Sequence, residues 1–338
     1  MDAARLRALA AALAASGAGP ADPARLRPLP AAGVAHDHVA IEGTGLLLRV
    51  PRLSQTGRPP ADNLAYQAAC FARAEPSGVT PRLHAVLQPA PELPMGALLV
   101  DAIRGRPVRL PDDLPAIAAC LAAIHRLPVP DAPAPLPVQT DPVAGTLATI
   151  ADQAAWLDRA SLEPATAAAI REEIAAAQAA RWPDRPHALT LVVTDSHPGN
   201  YVIDAAGKAW FVDLEKAAYG TPAIDVAHVT LPTSTGWDER VGGSVADADV
   251  AAFEAAWLTA LPDAVATLVA PWLGPLRRLV WLRSVTWFAR WRARSISAGD
   301  PWSAADLPVA LRDHLRAHVD RSLAPAEIER MQAVLPRW

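Results

Sequence analysis

VVTDSHPGNYVIDAAGKAWFVDLEKA, residues 192–217, decides how the rest of the chain is read. Residues 189–194 (LTLVVT) are a short apolar, β-branched run that predicts a buried strand. Asp195 therefore emerges where the strand gives way to a loop, the kind of segment that carries function. Pro198 and Gly199 force a turn, which brings Asn200, five positions after Asp195, back toward the same spot. YVID, the tetrad DAAG (204–207) and KAWFVD then read as a β-hairpin with Gly207 as turn residue. Its second strand is expected to end at Asp213, eighteen positions after Asp195. Two carboxylates and an amide thus converge on one end of a small sheet. Hard oxygen donors of this kind suit Mg2+, which prefers oxygen and keeps waters.

One oxygen to receive an acceptor proton, beside two that hold magnesium under nucleotide phosphates, is what phosphoryl transfer needs. The Asp–Asn separation also equals that of the kinase catalytic loop. Taken singly, each residue supports a plainer reading. An Asp before a turn serves as an Asx-turn or helix cap. His197 is a ligand, a proton carrier or a hydrogen-bonding brace. Asp225, in TPAIDVAHV, is either catalytic or a brace that accepts hydrogen bonds from loop amides at a helix start. Asp195, His197, Asp213 and His228 together offer a donor set for a metal-dependent hydrolase.

VTDSHPGN, VDLE and PAIDVAH resemble the signature HGDLHPGN, IDFE and PALDLA of the aminoglycoside phosphotransferase and choline kinase superfamily. The resemblance implies an α+β, protein-kinase-like fold of two lobes, with a small β-sheet N-lobe and a mostly helical C-lobe. It implies Asp195 as catalytic base, Asn200 and Asp213 as Mg2+ ligands, ATP or GTP as co-substrate and a hydroxylated small molecule as acceptor. The chain departs from the signature at Val193, where the family has a bracing His. On this reading residues 1–95 form the N-terminal nucleotide-binding lobe with a leading helix, 96–106 a strand and hinge, and 107–338 the helical lobe that carries the catalytic loop and acceptor site.

Upstream, AGVAHDHVAIEGTGLLLRVPR (32–52) reads as two strands around Gly43 and Gly45, similar to the family's nucleotide-covering hairpin. A G-x-G-x-x-G loop is absent, and Gly33 is the candidate for a phosphate-covering turn, with an ordinary hairpin turn as the alternative. Arg49 stands where the family has a Lys or Arg that grips the α- and β-phosphates; it stays charged and binds phosphate bidentately. ADNLAYQAACFARAEPSGVTPRL (61–83) reads as an amphipathic helix and resembles the family segment whose acid pairs with that cation, but here the acid is replaced by Gln67. Gln67 can accept one hydrogen bond from Arg49 without neutralising it. Gln67 and Val193 together raise the alternative of a nucleotide-binding protein of this fold that transfers weakly or not at all. MGALLVDAIRGRPV (95–108) resembles the inter-lobe strand and hinge, which implies that the backbone of Val100, Asp101 and Ile103 meets the adenine edge. DDLPAIAACLAAIHRLP (112–128) reads as a helix, with His125 as a brace under the catalytic loop.

Acceptor specificity is expected on the long C-terminal helices, 246–260 and 274–297. In LRRLVWLRSVTWFARWRARS, Arg283, Trp287, Arg290 and Arg294 share one face, and Trp281, Phe288 and Trp291 another. Such aromatics can bind a cationic head group by cation–π contact, and the basic face can hold an anion. Core tryptophans and solvated arginines are the plainer account. Trp287, Trp291, Arg283 and Arg290 are the acceptor-site candidates. An aminoglycoside pocket wants clustered carboxylates, for which Asp238, Glu239, Asp247 and Asp249 are the available set.

Composition sets the outer bounds. The chain has 338 residues, half of them hydrophobic, and a net charge of −4, which leaves no electrostatic footprint for nucleic acid. Cys70 and Cys120 fall on apolar helix faces, as expected of a cytoplasmic protein in a reducing compartment. The Ala-rich N-terminus reads as a surface helix rather than a signal peptide, and no run is long enough to span a membrane. PVPDAPAPLPVQTDP (128–142) is expected to be an extended surface connector.

Overall fold

The computed structural model describes residues 1–19, 22–30, 33–182, 184–297, 299–300, 302–305 and 307–337. Residue 32, the first of the covering-hairpin stretch, lies outside the described residues.

The N-terminal lobe opens with helix α1 (Ala3–Ala15), started by Asp2, whose side chain accepts from Arg5 N at 2.8 Å. Strands β1 (Leu26–Pro28), β2 (His36–Ile41), β3 (Leu46–Pro51), β4 (Leu83–Leu87) and β5 (Ala97–Asp101) form one antiparallel sheet in the order β1-β2-β3-β5-β4. Helix α2 (Pro60–Ala74) lies between β3 and β4 in sequence. Successive side chains in a strand face opposite sides, and both faces of this sheet are covered. Leu48, Val50, Ala97 and Leu99 join Leu9 and Leu13 of α1 in one cluster, whereas Leu98 and Val100 join Leu64, Cys70 and Phe71 of α2 in the main core. The same alternation sends Arg49 away from α1 and toward α2, where its guanidinium stands 5.5 Å from the Phe71 ring centre.

The C-terminal lobe is mostly helical. It contains α3 (Leu114–His125), α4 (Pro142–Ala154), α5 (Pro164–Ala179), α6 (Ala223–Thr230), α7 (Pro232–Thr235), α8 (Asp247–Thr259), α9 (Asp263–Val269), α10 (Leu273–Ser295), α11 (Val309–Ser322) and α12 (Pro325–Val334). Helix α10 is buried over most of its length although it carries six arginines, and packs on α4, α5, α6 and α11. Two small antiparallel pairs interrupt the helices: β6 (Thr190–Val192) with β9 (Ala218–Gly220), and β7 (Tyr201–Ile203) with β8 (Ala209–Phe211).

Two expectations change. The strand expected over 189–194 is confined to Thr190–Val192, because Thr194 takes a left-handed φ of 59° that ends the ladder. The connector 128–142 is not a free surface segment: Tyr219 N donates to Pro137 O at 2.9 Å and Gln139 N donates to Tyr219 O at 2.8 Å, which pins it along β9.

Candidate active site

Asp195 sits on a short loop that the fold holds from beneath. A β-branched residue at positive φ is strained, and Thr194 is kept there by its hydroxyl, which donates to Lys216 O at 2.8 Å. Asp225, fully buried at the start of α6, accepts from Val193 N at 2.7 Å and Thr194 N at 2.8 Å. His125 Nδ1 accepts from Trp257 Nε1 at 3.1 Å, so the ring proton is on Nε2, which faces Asp225 Oδ2 at 3.1 Å. These contacts fix where the loop leaves β6, and hence where the Asp195 carboxylate points.

The turn then closes on itself. His197 Nδ1 accepts from Gly199 N at 3.2 Å, and Asn200 Nδ2 donates to Asp195 O at 2.8 Å. Among the described residues Asn200 Oδ1 has no hydrogen-bond partner. Val212 N donates to Asn200 O at 3.0 Å, so Asp213, two residues beyond the end of β8, arrives beside the turn. Gly199 is required by close approach: a Cβ there would lie 2.5 Å from Asp238 Cβ.

Asp195, Asn200 and Asp213 line one cleft of about 490 Å³, together with Arg49, Gly33 and His197. Lys216, which follows Asp213 by three positions, reaches the same cleft and places Nζ 2.6 Å from Asp195 Oδ2. Burial by itself raises the Asp195 pKa, but Lys216, His197 and His228 outweigh it and hold the carboxyl far below the usual range. Arg49 Nη2 contacts Asp213 Oδ1 at 2.6 Å and its Nη1 donates to Val212 O at 2.9 Å. Among the described residues Asp213 Oδ2 has no hydrogen-bond partner. Beside it, His36 Nε2 meets Gln67 Oε1 at 3.2 Å, so Nε2 carries the proton and Nδ1 faces Glu215 Oε2 at 3.5 Å. Burial, reinforced by Asp213, pushes Glu215 up to about 8, and burial pulls His36 down to about 3; both are mainly uncharged at neutral pH.

The sequence model of the phosphotransferase enzyme family matches residues 25–268. The chain belongs to that family. Solved structures of similar fold include a putative aminoglycoside phosphotransferase from Ralstonia eutropha (TM-score 0.59, 13% identity, 96% of this chain and 98% of that one). A choline/ethanolamine kinase family protein from Mesorhizobium loti is similar as well (TM-score 0.55, 18% identity, 98% and 99% covered). So is a macrolide 2'-phosphotransferase from Brachybacterium faecium (TM-score 0.54, 16% identity, 93% and 97% covered). No curated protein matches the sequence significantly. This chain is thus a phosphotransferase with the kinase-like architecture of a five-stranded N-lobe and a helical C-lobe.

Several expected placements in the phosphotransferase differ. Gln67 bonds His36 rather than Arg49, because Arg49 turns to Asp213 instead. Val100, Asp101 and Ile103 do not line the cleft: Val100 is core, Asp101 N donates to Arg82 O at 3.1 Å, and the Asp101 carboxylate meets His84 Nε2 at 2.7 Å. Gly33 lines the cleft, but a Cβ there meets nothing within 4 Å, so no steric need for glycine arises. Trp287, Arg283 and Arg290 line it too, whereas Trp291 is buried in the core at 2% exposure, its ring 6.3 Å from Trp237. The hydrolase donor set is not assembled. Among the described residues, the group of three or more potential metal donors that come together is His36, Asp213 and Glu215, which lacks Asp195, His197 and His228. Lys216, Trp237, Thr233 and Ser234 were missed by the sequence reading; only Lys216, next to VDLE, carried a local signal.

Proposed function

We propose that this phosphotransferase is a magnesium-dependent small-molecule kinase that moves the γ-phosphoryl group of ATP or GTP to a hydroxyl of its acceptor. The observation that carries the reading is the meeting of Asp195, Asn200, Asp213 and Lys216 in one cleft. The acceptor hydroxyl oxygen forms a bond to the γ-phosphorus. The bond from that phosphorus to the bridging oxygen breaks, and the bridging oxygen leaves with the electron pair as the nucleoside diphosphate. Asp195 orients the hydroxyl and takes its proton. Its low basicity suits late proton transfer, since phosphoryl transfer depends mainly on positioning and charge stabilisation.

Magnesium fits the residues present. Asp213 Oδ2 and Asn200 Oδ1 are oxygen donors with no hydrogen-bond partner among the described residues, and Asn200 is oriented by its bond to Asp195 O. Held by Asp213 and Asn200, the ion would supply positive charge to offset that of the nucleotide phosphates. Arg49 supplies a guanidinium for the phosphates once its pairing with Asp213 is shared or released. A cytoplasmic location is part of this reading, with Cys70 and Cys120 as buried free thiols.

Asp195→Asn is the decisive variant. Acceptor-dependent nucleoside diphosphate release should fall by about 100- to 10,000-fold, the usual contribution of a general base, while thermal stabilisation by ATP with magnesium is kept. Undiminished release in Asp195→Asn removes the proposed base. No stabilisation of the native protein by ATP with magnesium, relative to magnesium alone, removes the kinase reading.

A further inference from the structure

The acceptor side of the cleft has a definite charge. Of the carboxylates that line it among the described residues, Asp195, Asp213 and Glu215 belong to the transfer centre, and the remaining one, Asp238, is forked onto Arg240 at 2.5 Å. Asp247 and Asp249, expected as part of an acidic set, sit instead at the start of α8, outside this cleft. A polycationic acceptor finds no free acid here.

Cations without acids stand in their place. Arg283 reaches the cleft from α10, and among the described residues its side chain hydrogen-bonds to Thr194 O at 3.3 Å. Burial lowers its pKa, and the charges of Asp195 and Asp225 only partly oppose that effect. Arg290, two turns further along α10, has no carboxylate within 4 Å among the described residues; its guanidinium is 5.9 Å from the Trp302 ring centre. Between them Trp287 stands edge-on to Trp237 at 5.2 Å and to Trp302 at 6.2 Å, making an apolar wall flanked by two guanidinium groups. A quaternary ammonium would meet aromatic rings here, but beside two guanidinium groups that make no ion pair among the described residues and feel Asp195 and Asp225, or Asp152 and Asp300, only from farther off. A third observation is independent of charge. Thr233 Oγ1 and Ser234 Oγ line the same cleft, are 6% and 2% exposed as residues, and have no hydrogen-bond partner among the described residues. Buried hydroxyls are rarely left unpaired, and these suit the oxygens of a ligand.

We propose that the acceptor is a hydroxy acid with a flat apolar portion, its flat part against Trp287 and Trp237 and its carboxylate drawn by the guanidinium groups of Arg283 and Arg290 that flank this wall, and that amino alcohols and aminoglycosides are disfavoured. Guanidinium matches carboxylate geometry bidentately, which neither ring nor hydroxyl does. The proposal rests on the kinase reading above and gives that same site its substrate class.

The test uses the full chain with ATP and magnesium and three acceptors of matched shape: 3-phenyllactate, the neutral 3-phenylpropane-1,2-diol and the amine phenylalaninol, with choline and kanamycin alongside. ADP release should favour phenyllactate over the diol, and the diol over the amines. A charge-assisted hydrogen bond contributes enough to set the acid about 10- to 100-fold ahead in kcat/KM. Arg290→Gln should reduce that ratio chiefly through KM, and Arg290→Glu should bring phenylalaninol ahead of phenyllactate. Arg283→Gln provides the same readout from the more enclosed position. Faster turnover of choline, kanamycin or phenylalaninol than of phenyllactate by the native protein overturns the acid class while leaving the kinase reading intact. An acid-to-diol ratio that survives both Gln variants overturns the assignment to these arginines. ADP release with none of the acceptors, set beside no stabilisation by ATP with magnesium, overturns both.

Discussion

Lys216 Nζ lies 2.6 Å from Asp195 Oδ2, so the residue proposed to take the acceptor proton is already neutralised by a neighbour. Removing that cation makes the carboxylate less favourable and raises the Asp195 pKa toward and beyond its ordinary value of 3.8. Lys216→Met should therefore move the acid limb of the kcat/KM profile to higher pH, while turnover at neutral pH falls because a positive charge beside the transferring phosphoryl is lost. A profile unmoved on the acid side would show that Lys216 does not govern Asp195. At this scale the sequence was informative where spacing is short. Asn200 follows Asp195 by five positions across a Pro-Gly turn, and a local turn fixes their approach. Pairings across long separations were not legible. Arg49 and Asp213 are 164 positions apart, and nothing local told that Arg49 would meet Asp213, leaving Gln67 to His36.

The loop from Thr194 to Asn200 acts as one element, held by Asp225 beneath and by Asp238 at its side. Gly199 is its closest contact. Gly199→Ala places a Cβ 2.5 Å from Asp238 Cβ and 2.8 Å from Asp238 Oδ2, so either the turn or the Asp238–Arg240 fork must shift. A misplacement of about 1 Å at a reacting group costs on the order of 100-fold in rate. Gly199→Ala should thus lower kcat strongly, with far-ultraviolet circular dichroism unchanged; a normal kcat would mean that the turn yields elsewhere. Helix α10 shows the limit of reading elements from sequence. Its sequence marks a basic face with Arg283, Trp287, Arg290 and Arg294 and an aromatic one with Trp281, Phe288 and Trp291, but not which of them meets a cleft. Trp287 lines the cleft and Trp291, one turn on, is core, although Phe288 and Arg290 between them line the cleft as well; the neighbours packed on each position, Trp237 among them, decide which.

Across the whole molecule, folding is linked to pH through buried neutral histidines. His318 is 4% exposed, its Nε2 is 3.0 Å from Thr233 O, and burial lowers its pKa to about 4. His38, in β2, is lowered to about 3 by burial and then by Arg49. In the unfolded chain each takes a proton near 6.5, so between that value and the folded one the unfolded state binds more protons and stability falls as pH falls. The Tm should decline from pH 6.5 toward pH 4, and His318→Gln should flatten that slope even if it lowers the Tm at pH 7. An identical slope in the variant would place the acid sensitivity elsewhere.

By itself the sequence carried the motifs whose resemblance implies the family and the α+β architecture, and turn chemistry and short spacing, which act within a few dozen residues, brought the loop carboxylates and amide together. The hinge backbone, the partner of Arg49, the place of Lys216 and the sign of charge around the acceptor came only from the tertiary structure. Each depends on which side chains, remote in the chain, are brought to one cleft and on which acids are left to neutralise its cations. Packing of the lobes settles that, and local pattern does not encode it.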